Sequence, residues 1–200
     1  MLKLTRYRFY CEGGSIMKSN EKIQKMCVAA LLCAIGILIP IISPVKVQLG
    51  PMSFTLASHV AVFIAMFISP AVALTVEVGT TLGFLLAGFP PVVVLRAAAQ
   101  IFFVMAGAFY LAKRPQIMDN FGKITLFGLI LGAIHGAAEA LVVTAFWFSG
   151  ASYEGSFVYV VVGLVGVGTL VHSMVDYYIA LFIWKAVSKA ARIPNVSYKG

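Results

Sequence analysis

Charge is what this sequence has least of. Asp and Glu number 7 and Lys and Arg 15 among 200 residues, whereas 61% of the residues are hydrophobic. With a positive mean hydropathy, that balance excludes a water-soluble globule of this length and implies an integral membrane protein. Cysteine is scarce as well. Cys11, Cys27 and Cys33 show neither paired spacing nor a Cys-x-x-Cys motif, so they are read as structural, with no metal or redox work. The segment "DNFGKIT" lacks the first glycine of a Walker A loop, which excludes an ATP site within the chain. Neither Gly-x-Ser-x-Gly nor His-Glu-x-x-His occurs, which argues against an intramembrane serine hydrolase and a zinc protease. The chain is therefore expected not to be an enzyme, with no catalytic residue, metal site or cofactor of its own.

What is present is a series of long apolar runs. A spanning helix needs about 20 mostly apolar residues, so a chain of this length holds five or six spans and no separate soluble domain. The first run covers 24–42 and ends in "PIISPVKVQLGP", whose prolines and glycine predict a loop. The next apolar stretch is too long for one span. Ser69-Pro70 in its middle is an N-cap followed by a favoured first helical residue, and it divides the stretch into spans two and three. "GFPP" turns the chain into span four, 92–112. Spans five and six follow at 124–148 and 157–187. The segment 1–16 is polar, basic and aromatic, without the form of a cleavable signal peptide. Met17, which opens "MKSNEKIQK", serves equally well as a start, so 1–16 is set apart as a tail and 17–200 as one membrane domain.

Basic residues set the orientation, because positively charged flanks stay cytoplasmic. They concentrate at Lys3 to Lys25, at Lys113, Arg114 and Lys123 between spans four and five, and at Lys185 to Lys199, whereas the opposite loops hold only Lys46. The expectation is an all-α compact bundle of six transmembrane helices with both termini cytoplasmic. The net charge of +8 is then a topology signal and an attraction to anionic headgroups, with no nucleic-acid partner.

Ionisable groups inside the apolar runs carry the functional argument, since each costs roughly 2.5–3.5 kcal/mol near the bilayer centre. They are His59, Glu77, Arg96, His135, Glu139, His172 and Asp176. Counted inward from the outer ends, His59, Arg96 and Glu139 share the outer half, and His135 lies one turn deeper on the face of Glu139. Together they predict an outward-facing polar pocket. Arg96, the only arginine in the spans, presents a fork of donors suited to a carboxylate. Alternatives stay open: Glu139 neutralises Arg96 or touches ligand, and His135 with Glu139 lines the pocket or braces the helix. For His172 with Asp176 the brace is the favoured reading. Trp147, Phe148, Tyr153 and Tyr159 form either an interfacial aromatic belt or a lid that stacks on a flat ligand. Gly79 with Gly83, and Gly128 with Gly132 and Gly136, have the spacing of close helix packing within one bundle.

In these features the chain resembles the substrate-binding S components of energy-coupling factor (ECF) vitamin importers. "AALLCA", with Ala30 and Ala34 four apart, resembles the family's Ala-x-x-x-Ala docking motif. "FTLASHVAVFIAMFISPAVAL" and "GTTLGFLLAGFPPVVVLRAA" resemble the niacin-type branch. The resemblance implies a binding protein in the cell membrane of a prokaryote that captures a small water-soluble vitamin outside. It also implies docking through Ala30 and Ala34 onto a transmembrane T subunit, and reliance on two partner ATPases to hydrolyse ATP. For nicotinate it implies Arg96 at the carboxylate, Trp147 or Tyr159 over the ring, and His59 or Glu139 at the ring nitrogen. The competing expectation is a self-sufficient proton-coupled carrier using His135, Glu139, His172 and Asp176 as a relay. Many such carriers have internal repeats, and no convincing repeat relates the two halves here.

Overall fold

The computed structural model describes residues 2–191, with side chains described over 20–188. Arg192 and Lys199 of the topology argument lie outside the described residues. Lys3, Arg6, Arg8, Cys11, Lys18 and Lys189 fall where only the backbone is described. Among the described residues eleven elements follow one another: α1 (Leu2–Ile42), β1 (Lys46–Leu49), β2 (Met52–Thr55), α2 (Val60–Ile68), α3 (Pro70–Leu86), α4 (Pro91–Ala99), α5 (Ile101–Lys113), a 3-10 turn (Pro115–Asp119), α6 (Phe121–Phe148), a π-helical segment (Val158–Val167) and α7 (Gly168–Ala191). The segment 1–16, set apart as a tail, is continuous with α1 from Leu2 onward.

Among the described residues, four helical stretches are long and apolar enough to cross a membrane: Asn20–Ile42, Pro91–Lys113, Phe121–Phe148 and Val158–Ser188. The apolar helix α3 is shorter, at 17 residues. Its start follows the sequence argument, because Ser69 Oγ accepts from the Val72 amide at 3.3 Å and Pro70 occupies the first turn.

The second segment differs from a simple span. α2 has nine residues, about 13 Å of helix, well short of the roughly 30 Å hydrocarbon layer. "VAVFIAMFI" is apolar on every side, and a helix of that kind is stable when surrounded. All its residues except Ile64 are buried, in a core with Phe103, Leu131 and Tyr177. α2 is thus the centre of the bundle.

The expected loop after α1 is a β-hairpin. Gly50 takes a positive φ of 56° and Pro51 a fixed negative one, a sequence suited to a type II′ turn, and Leu49 pairs with Met52 across it. Span four is likewise interrupted: the chain tightens at Gln100, whose amide bonds to Ala97 O at 3.0 Å. The π-helical segment has no counterpart in the sequence reading.

Glycines allow the close approaches. A Cβ on Gly79 would lie 2.6 Å from Cys33 Sγ of α1, and one on Gly136 would lie 2.4 Å from the Gly166 carbonyl oxygen. The small-residue spacing of α3 and α6 therefore serves packing within this chain.

Candidate functional site

Arg96 stands in the last turn of α4, where a cation is favoured by the helix dipole. It is 4% exposed, so its charge has to be met locally. Nε and Nη2 both donate to Glu139 Oε2, at 3.1 and 2.7 Å, and Nη1 donates to the Pro51 carbonyl at the hairpin tip. Thr169 Oγ1 of α7 donates to the same Glu139 oxygen at 2.6 Å. One ion pair thereby ties together α4, α6, α7 and the hairpin.

Beside this pair lies a cavity with about 50 Å³ accessible to the centre of a water molecule, enough for several waters. Arg96, Glu139, His59 and Gln100 supply its charged and polar floor. Phe84, Phe89 and Val93 supply an apolar wall, with the two phenylalanine rings stacked at 4.7 Å. Lys46, Ser53 and Thr55 of the hairpin and Thr80 of α3 also line it. A small anion with a flat apolar body suits that arrangement: a fork of donors at one end and aromatic carbon beside it.

His59 and Asp176 are joined more tightly than the sequence suggested. Asp176 pairs with His172 four residues away, and its oxygens also serve the start of α2. Oδ1 accepts from the Ala57 amide at 2.8 Å, and Oδ2 from the His59 amide at 2.9 Å and His59 Nδ1 at 3.0 Å. His172 Nε2 stands farther off, 3.4 Å from Oδ2. The pair within α7 is thus present, and Asp176 in addition caps the start of α2 across the helices, because the free amides of a helix start attract a carboxylate. Asp176 also holds Ala57 in a left-handed conformation, φ 68°, rare for a residue with a side chain.

His135 is fully buried behind Glu139, outside the cavity lining. Its Nδ1 lies 3.3 Å from Ser173 Oγ, and its Nε2 lies 3.3 Å from Glu139 Oε1 without the alignment of a hydrogen bond. The His59 ring sits edge-on to both His135 and His172, with centroids 4.8 and 4.9 Å apart. Within each of two sets, His59 with His135 and Glu139, and His59 with His172 and Asp176, the donor atoms lie within 4.8 Å of one another.

The structure brings Arg96, Glu139 and His59 to one cavity and leaves the expected aromatic cover elsewhere. Trp147 packs with Val143, Val161, Tyr153 and Phe157, and Tyr159 is 57% exposed. Burial pushes the Tyr153 hydroxyl above its ordinary pKa, so it stays neutral beside Trp147. The aromatic wall of the cavity is Phe84 and Phe89, which the sequence reading did not single out. Gln100 was missed too, although an amide inside an apolar run is a detectable signal. Glu77 lies buried on α3, with Thr81 Oγ1 donating to it at 3.4 Å, outside the cavity. Ala30 and Ala34 are both exposed on α1.

No family model and no solved structure matches the chain. Among curated proteins it is 40% identical over 192 residues to the niacin transporter NiaX of Lactococcus lactis subsp. cremoris (strain MG1363), a match that covers 94% of this chain and 86% of that protein. A match of that identity and extent places this multi-pass membrane chain in the family of the niacin transporter NiaX.

Proposed function

We propose that the chain is the substrate-capture S component of an ECF importer and binds nicotinate, the anionic form of niacin, in the Arg96 cavity. The observation that carries this reading is the state of Arg96. Three of the five guanidinium N–H groups are engaged, one each on Nε, Nη1 and Nη2, which leaves two for an incoming carboxylate. The pyridine ring then lies along Phe84 and Phe89, with His59 and Gln100 at its polar edge. Lys46 at the hairpin adds a second positive charge for an approaching anion.

In this reading six membrane-associated segments place the hairpin, the GFPP turn and the loop after α6 outside and both termini in the cytoplasm, as the basic residues favour. The chain carries no ATP loop, so a T subunit docked at Ala30 and Ala34 and two ATPases supply the work. The small side chains exposed on α1 support that docking face, because they let a partner helix approach closely.

Titration calorimetry with nicotinate tests the binding site. Arg96→Ala removes a charge-assisted contact worth about 1.5–3 kcal/mol and should weaken binding roughly ten- to a hundredfold in folded, monodisperse protein. Wild-type affinity in that variant would remove the anion-site assignment. Proteoliposomes holding the chain alone should bind nicotinate without accumulating it, and concentrative uptake driven by a proton gradient alone would contradict the S-component reading.

A further inference from the structure

We propose that His59, His135 and Glu139 form a site for a divalent transition metal at the floor of the cavity, and that this ion and nicotinate bind cooperatively. The inference rests on the nicotinate reading for its second half only. Its starting point is His135 Nε2, a buried nitrogen with no hydrogen-bond partner among the described residues. Such a group is costly unless something accepts its lone pair or its proton. Glu139 Oε1 lies 3.3 Å away, and a His59 ring nitrogen belongs to the same group of donors within 4.8 Å.

Each donor residue is oriented by a second partner. His59 uses Nδ1 toward Asp176 and His135 uses Nδ1 toward Ser173, which leaves Nε2 on both rings. Glu139 uses Oε2 for Arg96 and Thr169, which leaves Oε1. A carboxylate on the far nitrogen, as Asp176 provides for His59, is a usual support of metal-bound imidazoles. Donors about 2.0–2.2 Å from one tetrahedral ion lie roughly 3.4 Å apart, a spacing that His135 Nε2 and Glu139 Oε1 already have at 3.3 Å. Imidazoles with one carboxylate suit Zn²⁺, Co²⁺ or Ni²⁺, and three protein donors leave a position for a further ligand. The other group, His59 with His172 and Asp176, is the weaker candidate because Asp176 is committed to the start of α2.

Charge couples the ion to the anion. With neutral histidines, Arg96, Glu139 and Asp176 sum to −1. Nicotinate alone would make the buried cluster −2, and a divalent ion alone would make it +1. The two together bring it to zero, the state least penalised by burial. Arg96, beside the other oxygen of Glu139, repels a cation bound without that anion, so each ligand should raise the affinity of the other by the same factor.

The test uses the full chain purified through a histidine-free tag, stripped with a chelator and titrated with Co²⁺. About one cobalt per chain should bind with the visible absorption of a tetrahedral N/O site. Nicotinate should bind roughly tenfold or more tightly with Zn²⁺ than with chelator present. His135→Gln and His59→Gln should each abolish the cobalt absorption. No cobalt uptake by wild-type protein that still binds nicotinate through Arg96 would overturn the metal site and leave the proposed function standing. Uptake of a proton in place of an ion, measured calorimetrically in buffers of different ionisation enthalpy, would overturn it equally. Cobalt bound at the site with no nicotinate binding under either condition would uphold the site and overturn the proposed function.

Discussion

Replacing Gly136 by alanine probes the contact that aligns α6 with the rest of the site. The added Cβ would lie 2.4 Å from the backbone oxygen of Gly166, about 1 Å inside ordinary contact, and a carbonyl in a helix cannot rotate away as a side chain can. The two elements must separate, at a cost of about 1–3 kcal/mol for overpacking. At roughly 2–4 °C per kcal/mol for a domain of this size, the unfolding temperature should fall by about 2–12 °C. Gly132, one turn earlier on α6, is the control. Its Cβ would meet Leu170 O at 3.5 Å, an ordinary distance, so Gly132→Ala should be neutral or slightly stabilising through helix propensity. Gly136 also lies between His135 and Glu139, so separation draws Glu139 away from Arg96 and should weaken ligand binding. Intrinsic tryptophan fluorescence during heating in detergent reads the stability of both variants. Equal unfolding temperatures for Gly136→Ala and Gly132→Ala would refute the argument that backbone approach at Gly136 matters.

Three further outcomes follow from named contacts. Asp176→Ala leaves the amides of Ala57 and His59 and the His59 Nδ1 without their acceptor, at about 1–3 kcal/mol each, so thermal unfolding should occur at least roughly 6 °C lower, with a smaller loss for Asp176→Asn. Phe84→Ala should weaken nicotinate binding by about tenfold through lost ring contact, while Trp147→Leu should leave affinity unchanged, both read by calorimetry. Ala30→Trp combined with Ala34→Trp should preserve binding and abolish co-purification with the proposed T subunit, because bulk on an exposed small-residue face blocks helix approach.

The features legible in the sequence were those fixed by local chemistry or by the membrane's intolerance of charge. Ser69-Pro70 stopped one helix and started another because a hydroxyl and a missing N–H act within a single turn. Arg96 and Glu139 were drawn to one place because each is costly alone in an apolar bundle. What escaped depends on contacts across the chain. Nothing near Ala57 in sequence announces that Asp176 will hold it. Phe84 and Phe89 looked like other apolar residues until the GFPP turn stacked them beside the cavity. The apolar stretch before Ser69 could serve a lipid-facing helix or a core one, and only the packing of its neighbours made α2 a buried nine-residue helix.

The proposed function stands on a nicotinate carboxylate held by Arg96 between the hairpin and α4. An experimental structure of the protein with nicotinate bound tests it most directly. The carboxylate should lie about 2.7–2.9 Å from the Arg96 guanidinium, the charge-assisted range, with the ring against Phe84 and Phe89. Nicotinate lodged instead between Trp147 and Tyr159, with Arg96 still touching only Glu139 and Pro51, would contradict it.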